Sequence, residues 1–225
     1  MTKEYLDKFV DNLSSDSISI YILNIDSSDT MYPKRQLVKR GLQRIRESLS
    51  LLDEKNSIFF IRNDFSGHNS LYGKEEILNS VDELDVEFFP TGKTIFYHSI
   101  WYLTEKIILG ENGLIESLLA RHCSIRVSLI TISDGKDNGS EEGHVYENIA
   151  ADCIRRLNEN KVATVFFAVG KKAVKRVKKL GFQFVFDIKN SEESIYEVFE
   201  YIYQNIVKQS ESIVSDELIL KIDNL

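Results

Sequence analysis

The chain has 225 residues, 43% of them hydrophobic, and a formal net charge of −7. That length suits one α/β domain and is short for two. With 28% charged residues and only 2 prolines, wholesale disorder is excluded. The acidic balance argues against nucleic acid as the main partner, because a duplex binder shows a basic face.

The first fifteen residues mix charged and apolar side chains and lack the apolar centre of a signal peptide. The longest apolar run, residues 162–169, is too short to cross a bilayer. Cys123 and Cys153 can form at most one bridge and read as small buried hydrophobes. We therefore expect a cytoplasmic protein with no membrane partner.

In chain order, residues 1–16 form an N-terminal extension. Residues 19–25, SIYILNI, read as a buried strand ending at Asp26. Pro33 suits the first turn of a helix on which Val38, Leu42, Ile45, Leu49 and Leu52 make one apolar stripe. Residues 57–61 form a second strand, and residues 65–75 a loop or weak edge hairpin. A short helix is expected over 74–84 and a clearer one over 94–109, with Tyr97, Trp101, Thr104 and Ile108 on one side. Residues 125–132 form a third strand, followed by Ser133-Asp134-Gly135. A helix carrying Tyr146, Ile149, Ala150, Cys153, Ile154 and Leu157 leads to a fourth strand over 162–169. A short helix over 171–179, a fifth strand over 182–188 and a long helix carrying Ile195, Val198, Phe199, Ile202 and Ile206 complete the domain. Asn190 and Glu193 have capping-box spacing at the start of that helix. The domain is assigned to residues 17–207 and a C-terminal extension to 208–225.

Strands separated by helices imply a doubly wound α/β domain with a mainly parallel central sheet of about six strands, covered by helices on both faces. Ligands of such sheets bind beyond the carboxyl ends of the strands. Asp26 and Asp134 each end a strand, so both lie at that edge. Asp26, Ser28 and Thr30 place oxygen-bearing side chains at alternate positions of one loop. A carboxylate and two hydroxyls suit a hard cation such as Mg²⁺ or Mn²⁺, and other loops must complete its shell. Thr94, at a helix start, and Asp134 are the candidates.

These residues resemble the metal-ion-dependent adhesion site of the von Willebrand factor A family. Asp26, Ser28 and Thr30 match its Asp-x-Ser-x-Ser loop, with Thr in the last place. Pro90-Thr91-Gly92-Lys93-Thr94-Ile95-Phe96-Tyr97 resembles its Pro-x-Gly-x-Thr-x-x-Tyr loop, and Ser133-Asp134-Gly135 its Thr-Asp-Gly strand end. The stretch from Asp134 to Ser140 is similar to intracellular bacterial and phage members. The resemblance implies a metal set of Asp26, Ser28, Thr30, Thr94 and Asp134. Ser28 and Thr30 would bind the ion directly, and Thr94 directly or through water. Asp26 and Asp134 would hold waters, and an open position would accept an Asp or Glu carboxylate from a partner protein. It implies binding without catalysis.

Other readings of the same residues are open. Either acid can cap a helix. Thr91-Gly92-Lys93-Thr94 mimics the end of a phosphate-binding loop, but Glu87 stands where that motif needs glycine. A Mg²⁺-dependent phosphohydrolase using Asp26 as nucleophile would carry a second Asp where Ser28 stands. A scaffold with a structural metal, or with none, is a further alternative. The four histidines show no zinc spacing. The lysine-rich 171–179 segment reads as a solvated helix face.

Overall fold

A computed structural model describes residues 17–52, 57–69, 71–72, 77–111, 113–119, 124–189 and 191–211. The Asn190 cap, the two chain extensions up to residue 16 and from 212, and Cys123 lie outside them. Strand β1 (Ser17–Asp26) leads through a 3-10 turn (Asp29–Lys34) into α1 (Arg35–Leu49). Next come β2 (Ile58–Ser66) and the two-residue strands β3 (His68–Asn69) and β4 (Asn79–Ser80). Helix α2 (Phe96–Tyr102) continues as a π-helical segment, Leu103–Ile108, and is followed by α3 (Leu114–Leu119). The chain ends with β5 (Ser124–Ser133), α4 (Glu147–Glu159), β6 (Ala163–Val169), α5 (Lys171–Val177), β7 (Phe184–Ile188) and α6 (Glu192–Glu211).

The sheet has seven strands in the order β3-β2-β1-β5-β6-β7, with β4 also paired to β2. β1 runs parallel to β2 and β5, β5 to β6, and β6 to β7. The short strands β3 and β4 pair antiparallel to β2, which supplies the edge that the sequence leaves unplaced. The protein is thus a doubly wound α/β domain. The winding reverses between β1 and β5, and a crevice opens at such a reversal, beyond the strand ends.

Alternation along β1 explains the two layers. Ile18, Ile20 and Ile22 face a core built with Phe96, Ile100, Leu103, Ile107, Ile154 and Leu157. Tyr21, Leu23 and Ile25 face the other, built with Val38, Leu42, Ile45, Leu49, Ile195, Phe199 and Ile202. Asn24 and Asp26 share the parity of Ile22, so they lie on the α2 side. Across the second layer, α1 and α6 meet at Gly41, where a Cβ would stand 2.2 Å from the Phe199 ring.

Three local expectations are corrected. Residues 77–84 are not helical: Asn79 and Ser80 pair with Phe60 and Phe59 on the edge of β2, and pairing overrides the helical composition. The helix expected from Thr94 starts at Phe96, so Thr94 lies in the loop before it. Of its expected stripe Thr104 and Ile108 are buried, but Tyr97 and Trp101 are only partly so, and the first turns bury Phe96, Ile100 and Leu103 instead. At the start of α6, the Ser191 hydroxyl accepts the Ser194 N–H at 3.3 Å.

Candidate metal centre

Asp26 ends β1 and is fully buried. Its Oδ1 accepts the Ser28 N–H at 3.0 Å, an Asx turn that folds the loop back over the strand end. Its Oδ2 accepts the Ser133 hydroxyl at 2.7 Å, across from β5. Burial above all pushes the Asp26 carboxyl above the usual carboxylate range; the bonds from Ser28 and Ser133 oppose that rise, and nearby Asp134 adds to it. The turn leaves the Ser28 Oγ and Thr30 Oγ1 hydroxyls 3.0 Å apart, one buried and one on an exposed residue. The Ser28 and Thr30 hydroxyls, two residues apart, therefore meet.

The loop before α2 is stitched to the first one. The Thr91 N–H donates to the Ser27 carbonyl at 2.6 Å, and the Asp29 N–H to the Gly92 carbonyl at 3.1 Å. In return the Gly92 N–H donates to Asp29 Oδ1 at 2.8 Å. Gly92 has φ +80°, a conformation costly for a residue with a Cβ. Thr94 follows, 3% exposed. Its N–H donates to Asn138 Oδ1 at 2.7 Å, and its carbonyl accepts the Asn138 N–H at 3.0 Å. The second loop is thus held between the first and the third.

The third loop leaves β5 through Asp134 and Gly135, whose φ is +67°. Asp134 is half-buried; its Oδ1 accepts the Lys136 N–H at 2.9 Å, and its Oδ2 lies 2.8 Å from Lys136 Nζ. Lys34 Nζ reaches the Thr30 carbonyl at 3.3 Å. Burial lowers the Lys34 pKa, against the fields of Asp134 and Asp26, which raise it.

Two features are not evident from the sequence. Asp137 organises the third loop: its carboxylate accepts the Tyr97 N–H at 2.7 Å, at the start of α2, and the Ser140 N–H at 2.9 Å. It lies in the polar stretch after Asp134, where nothing in the spacing sets it apart from its neighbours. Beneath the site, Asn24 Oδ1 accepts from Ser99 Oγ at 2.6 Å and from Asn63 Nδ2 at 2.9 Å, and Asn24 Nδ2 donates to Thr131 at 3.4 Å. All four residues are buried and tie β1, β2, β5 and α2 together. The one signal for this network is the presence of Asn24 and Thr131 among apolar neighbours near the carboxyl ends of β1 and β5.

The candidate donors are all oxygens, as Mg²⁺ and Mn²⁺ prefer. Among the described residues no three His, Cys, Asp or Glu side chains group as a metal cluster, so the set leans on hydroxyls. A cavity of about 430 Å³ lies elsewhere, between β7 and α6, lined by Phe167, Phe186, Asp187 and Tyr201 and by none of these donors.

The fold defines a doubly wound α/β domain, with oxygen-bearing side chains gathered at its winding reversal. No protein-family model matches the sequence, and no curated protein matches it. Among solved structures it is similar to the pilus adhesin SpaC of Lactobacillus rhamnosus GG in its open conformation, with TM-score 0.64 and 11% identity over 87% of this chain and 30% of that one. It is also similar to proximal thread matrix protein 1 of the mussel byssus, with TM-score 0.57 and 13% identity over 84% and 45%. For the D319A mutant of the PilB minor pilin of Streptococcus sanguinis the values are 0.53, 11%, 89% and 64%. The chain spans less than half the length of the first two. At these identities the likeness is one of fold. Among the described residues no helix is long and apolar enough to cross a membrane.

Proposed function

We propose that residues 17–207 form a divalent-cation-dependent protein-binding module of the von Willebrand factor A type, with Asp26, Ser28, Thr30, Thr94 and Asp134 as its metal set. The observation that carries this is the pair of hydroxyls on Ser28 and Thr30, 3.0 Å apart at the end of β1, with loops from α2 and β5 hydrogen-bonded around them. Ser28 and Thr30 would touch Mg²⁺ or Mn²⁺; Thr94 would approach from the second loop. Asp26, its orientation set by Ser28 and Ser133, would hold a coordinated water, as would Asp134. When bound, the ion supplies an electrophilic position for an Asp or Glu carboxylate of a partner protein.

Binding without catalysis is favoured over phosphohydrolysis by the residue two places after Asp26: an aspartyl-nucleophile enzyme needs a second acid there for proton transfer, and Ser28 stands in its place. Titration calorimetry with Mg²⁺ and Mn²⁺ tests the reading on wild type, Asp26→Ala and Thr30→Val, the last changing a hydroxyl on an exposed residue. Heats seen in wild type and lost in both variants support it; equal heats in all three overturn it.

A further inference from the structure

Two ammonium groups lie at the proposed metal set, one on a carboxylate and one on a loop carbonyl. Lys136 comes from the loop after β5 and pairs with Asp134 Oδ2 at 2.8 Å. Lys34 comes from the 3-10 turn after β1, and its Nζ is held by the Thr30 carbonyl at 3.3 Å. That carbonyl belongs to the residue whose hydroxyl meets Ser28. Lys34 also feels the charges of Asp134, Asp26 and Lys136, which gathers all four groups in one electrostatic neighbourhood. Both ammonium groups therefore put positive charge beside the position a divalent ion would take.

We infer that Lys34 and Lys136 are resident counter-cations of the crevice, and that a divalent ion enters by displacing Lys136 from Asp134 against the field of Lys34. This rests on the metal reading above and adds a control on it. The Lys136 side chain is 51% exposed, so its pair with Asp134 is weak and opens at small cost. Lys34 is only half exposed and anchored on the backbone, so its repulsion persists once an ion is bound. The crevice therefore discriminates against cations that cannot gain enough from Ser28, Thr30 and Asp134 to outweigh two lysines.

The test is a Mn²⁺ titration, followed by the electron paramagnetic resonance signal of free Mn²⁺, on the full chain at fixed ionic strength. Wild type, Lys34→Gln, Lys136→Gln and the double variant are compared. The expected Kd falls about threefold for Lys136→Gln and about tenfold for the double variant. Lys136→Gln changes a half-exposed side chain, so it decides the matter even if the double variant does not fold. Equal Mn²⁺ affinity in wild type and Lys136→Gln, or weaker binding in the variant, overturns the inference and leaves the metal reading standing. No Mn²⁺ binding in any of the proteins overturns both.

Discussion

The Ser133 hydroxyl donates to Asp26 Oδ2 at 2.7 Å, joining the carboxyl ends of β5 and β1, 107 residues apart in sequence. That bond sits where the sheet reverses its winding, and the rest of the candidate centre is built on it. The same Ser133 Oγ accepts the Gly135 N–H at 3.0 Å, so one side chain orients the Asp26 carboxylate and the turn behind Asp134.

The network under the centre should carry stability. Asn24→Ala removes the acceptor shared by Ser99 and Asn63 in a buried setting. Loss of such an acceptor is expected to cost about 3 kcal/mol. Urea unfolding checks this against Gln36→Ala on an exposed position, for which a change within about 0.5 kcal/mol is expected. A loss below about 1 kcal/mol for Asn24→Ala would show that the network is relaxed rather than rigid.

Helices α1 and α6 meet too closely for a larger residue at position 41. A Cβ on Gly41 meets Phe199 Cδ2 at 2.2 Å and Phe199 Cβ at 2.8 Å. Gly41→Ala should therefore destabilise by about 1–3 kcal/mol despite the better helix propensity of alanine. Phe199→Ala removes the Cγ and Cδ2 atoms of that clash, so Gly41→Ala should cost less in its presence, and a double-mutant cycle measures the coupling.

Cys153 should be slow to react. Burial first, and then the charge of Glu105, push its thiol up to about 11. In a Cys123→Ser background, labelling by Ellman's reagent at pH 8 should be slow in the native protein and fast in denaturant, because only the thiolate attacks. Equal rates in the two conditions would contradict the burial.

His98 should tie stability to pH. Burial lowers its pKa below the usual 6.5, and Asp137 only partly opposes this. The folded state thus holds His98 neutral more firmly than the unfolded chain does. Its contribution is fully present above 6.5 and is lost as pH falls through 6.5 toward the lower folded value. Between pH 8 and 5.5, wild type should lose more stability than His98→Gln in parallel denaturant melts. An equal loss would remove His98 as a cause.

Much of this is legible in the sequence. β1 and β5 announce themselves as apolar runs closed by acids, and that closure locates the candidate loops. β2 reads too short because Arg62, Asn63 and Asp64 look like a loop. In the fold Arg62 is buried, bonded to Asp64 Oδ1 at 2.9 Å and to the Asp85 carbonyl at 2.6 Å. Helix α2 is legible, but its buried stripe is not: both Tyr97-Trp101 and Phe96-Ile100 have helical spacing, and only packing on the sheet chooses between them. The Asn24 network is illegible for a simpler reason: its partners Asn63, Ser99 and Thr131 are 39, 75 and 107 residues away.

Anomalous scattering from crystals grown with Mn²⁺ tests the central claim most directly. One peak within about 2.5 Å of both Ser28 Oγ and Thr30 Oγ1, with the Thr94 hydroxyl and the two carboxylates in its direct or water-linked shell, is the predicted result. A peak touching neither hydroxyl, or no peak at saturating Mn²⁺, contradicts it.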